Sequence, residues 1–121
     1  MSREWRFRLE DILSAAERIL EYTQGMDAKT FAQDQRTVDA VIRNLEIIGE
    51  AARHIPPEVK EKFPELPWEE MRAMRNLLIH EYFGVDLWII WQTTQQDIPS
   101  LIHQIRHVLQ KTANGGNLLH S

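Results

Sequence analysis

Val38-Asp39-Ala40-Val41-Ile42-Arg43-Asn44-Leu45-Glu46-Ile47-Ile48-Gly49-Glu50-Ala51-Ala52 is the stretch that decides the fold. Its apolar positions Val38, Val41, Leu45, Ile48 and Ala52 recur at alternating steps of three and four. That spacing draws a stripe along one side of an α-helix, the pattern of a seam between packed helices. Thr30 is expected to cap this helix, with Gln33 three residues on as its capping-box partner. Pro56-Pro57 closes it.

Working outward, the same periodicity recurs and strand-like alternation does not. Upstream, Phe7, Ile12, Ala15, Ile19 and Leu20 share one face of a first helix, which Gly25 can end. Downstream, a proline-punctuated link with a short helical turn at Glu58 to Lys62 leads to Pro67. Pro67 suits a helix start, and Glu69 and Glu70 favour its positive end. This third helix is expected to reach Tyr82 or Phe83 before Gly84 breaks it. Asp86 can cap a fourth helix carrying Leu87, Ile90 and Trp91. Pro99 lies inside that pattern and predicts a kink or brief break near Asp97. The period resumes at Leu101, Ile102, Ile105, Val108 and Leu109. From Ala113, Gly115-Gly116 indicates a frayed tail. The expected architecture is all-α: an antiparallel four-helix bundle with an extra short helix and a kinked last helix. One domain spans 1–112 and a flexible tail 113–121.

Composition narrows the function. The 121 residues suffice for one core. A formal charge of -4 argues against a domain that coats nucleic acid, and no DNA partner is expected. A local basic pocket for RNA remains compatible with it. The basic residues are 10 Arg and 4 Lys, a bias toward forked contacts with phosphate or carboxylate. With no cysteine, thiolate catalysis and Cys-based zinc sites are excluded. The first residues lack the apolar core of a secretory signal. The apolar run Leu87-Trp88-Ile89-Ile90-Trp91 is too short to span a bilayer, so a cytoplasmic protein without membrane contact is expected.

The polar cluster is Arg75-Asn76-Leu77-Leu78-Ile79-His80-Glu81-Tyr82. On a helical wheel, Trp68, Met71, Met74, Leu78, Ile79 and Tyr82 fall within about 100° of Arg75. Arg75 therefore lies inside the apolar arc. An unpaired buried guanidinium costs several kcal/mol, so Arg75 needs an acidic partner or an anionic ligand. Glu46 and Glu50, one turn apart on the preceding long helix, are the candidates. Arg72, Asn76 and His80 form a separate polar stripe. Arg75 and His80 are about 140° apart on an ideal helix. Either the helix distorts near His80, or a second chain completes the site. Arg followed five residues later by His is by itself a weak pattern.

Context strengthens it. Leu45 to Ala52, the Pro56-Pro57 break, Pro67-Trp68, Met74-Arg75-Asn76, His80-Glu81-Tyr82, Val85-Asp86 and Trp91 together resemble the HepT-like (DUF86) branch of the HEPN superfamily. The resemblance runs from about Arg36 to Leu101, and Ala73 departs from a Gly common in the family. It implies a metal-independent endoribonuclease without cofactors, the toxin of a type VII toxin–antitoxin pair. Its catalytic motif is matched by Arg75 and His80, with Asn76 and Tyr82 in support. It also implies a homodimer with the cleft at the interface. The partner would be an MNT-type nucleotidyltransferase antitoxin that silences the toxin by adding AMP to Tyr82.

Such chemistry suits these side chains. The 2′-hydroxyl of RNA can attack the neighbouring phosphate if a base takes its proton and an acid protonates the 5′ oxygen. Histidine serves either role near neutral pH. Arg75 would stabilise the charge on the phosphorane. Asn76 would orient His80 or a phosphate oxygen, and Tyr82 would stack on a base or bond to a phosphate. A non-catalytic helical adaptor that binds a nucleotidyltransferase or a nucleotide is the competing reading.

Elsewhere, His103 and His107 have a metal-compatible i, i+4 spacing, but no third ligand is evident, so a solvated face is expected. His54 is expected at the end of the second helix. His120 falls in the tail. Arg3, Arg6 and Arg8, interleaved with Glu4 and Glu10, read as a solvated helix start. Trp88 and Trp91 fit bundle or dimer packing.

Overall fold

The computed structural model describes the backbone of residues 4–119 and the side chains of residues 4–113. It is all-α, with no strand among the described residues. Arg3, His120 and the side chains of the expected tail from Asn114 lie outside the described residues.

The first helix, α1, runs Glu4–Thr23. Gly25 follows at φ +80°, a left-handed conformation that glycine adopts without a Cβ clash. Leu9, Ile12, Ala15, Ala16 and Ile19 are buried, whereas Phe7 is 64% exposed. The expected apolar face is thus rotated at its start, with Leu9 in place of Phe7. Arg6 is not merely solvated. It donates to the Thr112 hydroxyl and to the Leu109 carbonyl at 3.3 Å, tying the start of α1 to the last helix.

The central stripe folds as expected, but its start differs. Two helices stand where one was expected: α2, Ala28–Gln33, and α3, Gln35–Arg53. Asp27, not Thr30, caps α2. Its carboxylate accepts the Thr30 N–H at 2.8 Å, and the Thr30 hydroxyl accepts the Asp27 N–H at 2.9 Å. Gln33 is the last residue of α2 and plays no part in the cap. A carboxylate is the stronger acceptor for helix-end N–H groups, which decides the cap. Asp34 then leaves helical dihedrals (φ -104°, ψ 86°) and caps α3 by accepting the Thr37 N–H at 3.1 Å. Phe31 anchors α2, fully buried with its ring 5.4 Å from that of Trp91.

Along α3, Val38, Val41, Leu45, Ile48 and Ala52 are all buried. His54 ends it as expected, donating from Nδ1 to the Glu50 carbonyl at 2.9 Å. The link contains α4, Pro57–Lys62, with proline in its first turn. The next helix, α5, is Trp68–His80.

The last helical stretch is α6, Leu87–Gln92, a π-helical segment Thr93–Asp97, and α7, Ile98–Leu119. Asp86 caps α6, accepting the Trp88 N–H at 2.9 Å. Proline in the pattern predicts a kink or break, but dihedrals stay right-handed helical at Thr93 and Ile98. Pro99 has no N–H to offer the carbonyl one turn earlier. The ladder shifts instead, with the Ile98 N–H reaching back five residues to the Thr93 carbonyl.

In the bundle α3 packs between α1 and α5, and α7 packs against α1. Arg106 of α7 meets Glu17 of α1 at 2.5 Å. Between α3, α5 and α7 a groove of about 220 Å³ remains, lined by residues including Leu45, Met71, Met74, Thr93, Ile98 and Leu101.

Candidate functional site

The polar cluster sits on α5 and the turn that follows it. The side of α5 facing α3 is set by the sequence period, since Met71 and Leu78 are buried. Arg75 lies on that same side. Its approach to α3 is closer than two ordinary helices allow. A Cβ added to Gly49 would lie 2.3 Å from the Arg75 Cβ and 2.9 Å from the Met71 carbonyl oxygen. Glycine at 49 is what lets α5 come in. The only sequence signal for this was a glycine interrupting a strong helical stripe, where it costs about 1 kcal/mol against alanine.

Arg75 is about one-fifth exposed and finds its counter-charge on Glu50, with Nε 2.8 Å from Oε2. Of the two carboxylates that the wheel offered, Glu50 is the partner. Glu46 sits 3.8 Å from Arg43 instead. The Arg75 Nη1 donates to the Asn76 side-chain oxygen at 3.4 Å, so Asn76 is linked to Arg75 and not to His80.

His80 is the last residue of α5 and is exposed. It has no hydrogen-bond or charge partner among the described residues. The helix stays α-helical through His80, and the Glu81 N–H still reaches the Leu77 carbonyl at 2.8 Å. Distortion near His80 is thus removed as a way to bring Arg75 and His80 together within one chain.

The helix does not extend to Tyr82 or Phe83. Glu81 leaves it at φ -132°, ψ 37°, and Tyr82–Gly84 form a 3₁₀ turn. Tyr82 is therefore off the α5 wheel, and a contact on α3 fixes it. Its hydroxyl donates to the Asp39 carboxylate, which also accepts from Gln35 Nε2 at 2.8 Å. The hydrogen bond to Asp39 is the main cause that holds the Tyr82 phenol above its usual pKa of 10, with burial and the charges of Asp39 and Glu46 adding to it. The same bond, followed by that from Gln35, holds the Asp39 carboxyl below its usual range. Asp39 is a residue the sequence reading missed, since it lies 43 positions away with no pattern joining it to Tyr82.

Along the chain near this cluster, several large apolar side chains are exposed. Leu77 and Ile79 of α5, Phe83 of the turn, and Trp88 and Ile89 of α6 are all large and exposed, Phe83 completely. Ile79 was expected in the core arc and is 47% exposed. Trp91 packs in the bundle, whereas Trp88 does not. His103 and His107 are exposed on α7, and no group of three His, Asp or Glu side chains suited to a metal occurs among the described residues.

A family model described as Ribonuclease HepT-like matches residues 12–108. The chain is 50% identical over 101 residues to "Probable ribonuclease HepT" of Thermococcus cleftensis, covering 84% of this chain and 92% of that one. Two further relatives carry names that give an RNase assignment as provisional. One, from Caldanaerobacter subterraneus, is 45% identical, covering 85% of this chain and 92% of its own. The other, from Methanocaldococcus jannaschii, is 42% identical, covering 88% and 97%. No solved structure matches at comparable stringency.

Proposed function

Because the chain belongs to the ribonuclease HepT-like family, we propose that it is an endoribonuclease whose cleft is built by two copies of the chain. Arg75 and His80 are the catalytic pair, and Asn76 and Tyr82 support them. The observation that carries this reading is the setting of the pair. A supported arginine and an unpartnered histidine diverge on one regular helix, amid exposed apolar side chains. Patches of that kind mark protein–protein contacts. A second copy docked there would cover Leu77, Ile79, Phe83, Trp88 and Ile89. It would also bring a second His80 to the cleft.

The reaction needs no metal, because RNA supplies its own nucleophile. The 2′-oxygen bonds to phosphorus as one His80 takes its proton. The bond from phosphorus to the 5′-oxygen then breaks, and the other His80 protonates the leaving oxygen. Arg75 faces the charge that gathers on the non-bridging oxygens. The product is a 2′,3′-cyclic phosphate or the 3′-phosphate from its hydrolysis.

The chain is the toxin of a toxin–antitoxin pair in the cytoplasm, silenced by a nucleotidyltransferase partner. In that step the Tyr82 oxygen attacks the α-phosphorus of ATP and pyrophosphate leaves. The phenolic proton passes to a base. Supporting this is the half-exposed position of Tyr82 on a surface turn, with its hydroxyl held by a hydrogen bond to Asp39.

The test uses purified protein and RNA in the presence of EDTA. Wild type should cut and leave cyclic phosphate ends, and Arg75→Ala and His80→Ala should each fail to cut. Re-annealed with wild type, His80→Ala should lower the activity by more than its share, since a mixed dimer then holds one His80 where the reaction uses two. A His80→Ala protein that cuts at the wild-type rate would sink the assignment.

A further inference from the structure

The Glu50 carboxylate sits among three basic groups. Its Oε2 is 2.8 Å from Arg75 Nε and 3.5 Å from Arg53 Nη1, and its Oε1 is 3.8 Å from His54 Nδ1. Oε2 is buried yet has no aligned hydrogen bond, so charge alone holds it against the Arg75 Nε edge. A guanidinium offers five N–H groups in a rigid fork. On Arg75 the Nε edge faces Glu50, one Nη1 hydrogen goes to Asn76, and Nη2 has no partner among the described residues. The edge that can grip two oxygens of a phosphate is left open.

We propose that Glu50 is the positioning residue of the cleft, fixing the Nε edge of Arg75 so that its Nη edge meets the RNA phosphate. This rests on the reading of Arg75 as the phosphate-binding residue. Glu50 touches no substrate and acts through Arg75. Gly49, its neighbour, brings the two helices close enough for so short a contact. A carboxylate that merely neutralised Arg75 would oppose phosphate binding. One that orients it opposes binding slightly and speeds the reaction. The two effects separate in kinetics, because orientation is felt in kcat and charge in KM.

The experiment compares wild type with Glu50→Gln, which keeps the shape and removes the charge. Three readouts are taken: kcat and KM on an RNA oligonucleotide, the ¹⁵Nε–¹H resonance of Arg75 in the free protein, and the melting temperature. Glu50→Gln should lower kcat by about tenfold to a hundredfold. KM should stay level or fall. The Arg75 Nε–H signal should shift, since the charge that lies 2.8 Å from Nε is then gone. Unchanged kcat, or an unchanged Nε–H signal, overturns the proposal. So does a melting temperature that falls further than in Arg75→Ala, since Glu50 would then serve the bundle and not Arg75. Wild type that leaves RNA uncut refutes the ribonuclease reading instead, and the Nε–H signal then still decides whether Glu50 orients Arg75.

Discussion

Replacing Gly49 by alanine exchanges one hydrogen for a methyl group, and the structure says where its carbon goes. It would stand 2.3 Å from the Arg75 Cβ and 2.9 Å from the Met71 carbonyl oxygen. Non-bonded carbons rest at about 3.5–4.0 Å, so the helices must part by roughly 1.2 Å or more. Neither neighbour can rotate aside, because one is a Cβ and the other belongs to the backbone. Overpacking of this kind costs about 1–3 kcal/mol, and the rigid contact places this case in the upper part of that range. Alanine returns roughly 0.8–1 kcal/mol through helix propensity. The net loss is about 1–2 kcal/mol, or roughly 4–8 °C in melting temperature for a chain of this size. Moving Arg75 by about 1 Å should also slow cleavage, by up to roughly a hundredfold. Circular dichroism melting and an RNA cleavage assay read the two effects. Gly84→Ala is the control, since nothing lies within 4 Å of its added carbon. A Gly49→Ala protein that melts at or above the wild-type temperature and cuts RNA normally would refute the close-approach argument.

Two further outcomes follow from the same geometry. The Tyr82–Asp39 bond requires neutral phenol and charged carboxylate, so its stabilising effect is lost as pH rises through the raised pKa of Tyr82, above 10. It is lost at the other end as pH falls through the lowered pKa of Asp39, below 3.8. Spectrophotometric titration should show Tyr82 ionising above pH 10 and moving back toward 10 in Asp39→Asn; identical curves would disprove the bond. Wild type should sediment at twice its 14.3 kDa chain mass, and Trp88→Asp should sediment as a single chain with its helical spectrum intact. Equal sedimentation of the two would place any dimer contact elsewhere.

Much of this molecule can be read from side-chain period. The stripe from Val38 to Ala52 sets α3, and the break at Pro56 and the helix start at Asp86 follow from local backbone chemistry. The wheel correctly put Arg75 against an acidic partner on α3. What it missed depends on contacts between distant positions. Choosing Glu50 over Glu46 needs the crossing of two helices, and that crossing is set by a missing methyl at Gly49. Asp39 meets Tyr82 only because α5 stops at His80 and the chain folds back over α3. The helix end was misplaced because Tyr82 continues the apolar period of α5, while the turn over Tyr82–Gly84 and the bond to Asp39 draw it elsewhere. At Asp27 and Thr30 two capping residues competed, and period does not rank them.

The two flanks of α5 differ in mechanical character. Toward α3 there is no room for a single methyl group, and toward α7 there is a groove of about 220 Å³. The far wall of that groove includes Thr93, Asp97 and Ile98, where the long helix changes its hydrogen-bond register. Such a bundle breathes unevenly. Close packing should make α5 move with α3, and the groove beside α7 is where slack remains. The distance from Arg75 to Glu50 lies within that close-packed pair, so thermal motion can widen the groove while the guanidinium keeps its aim.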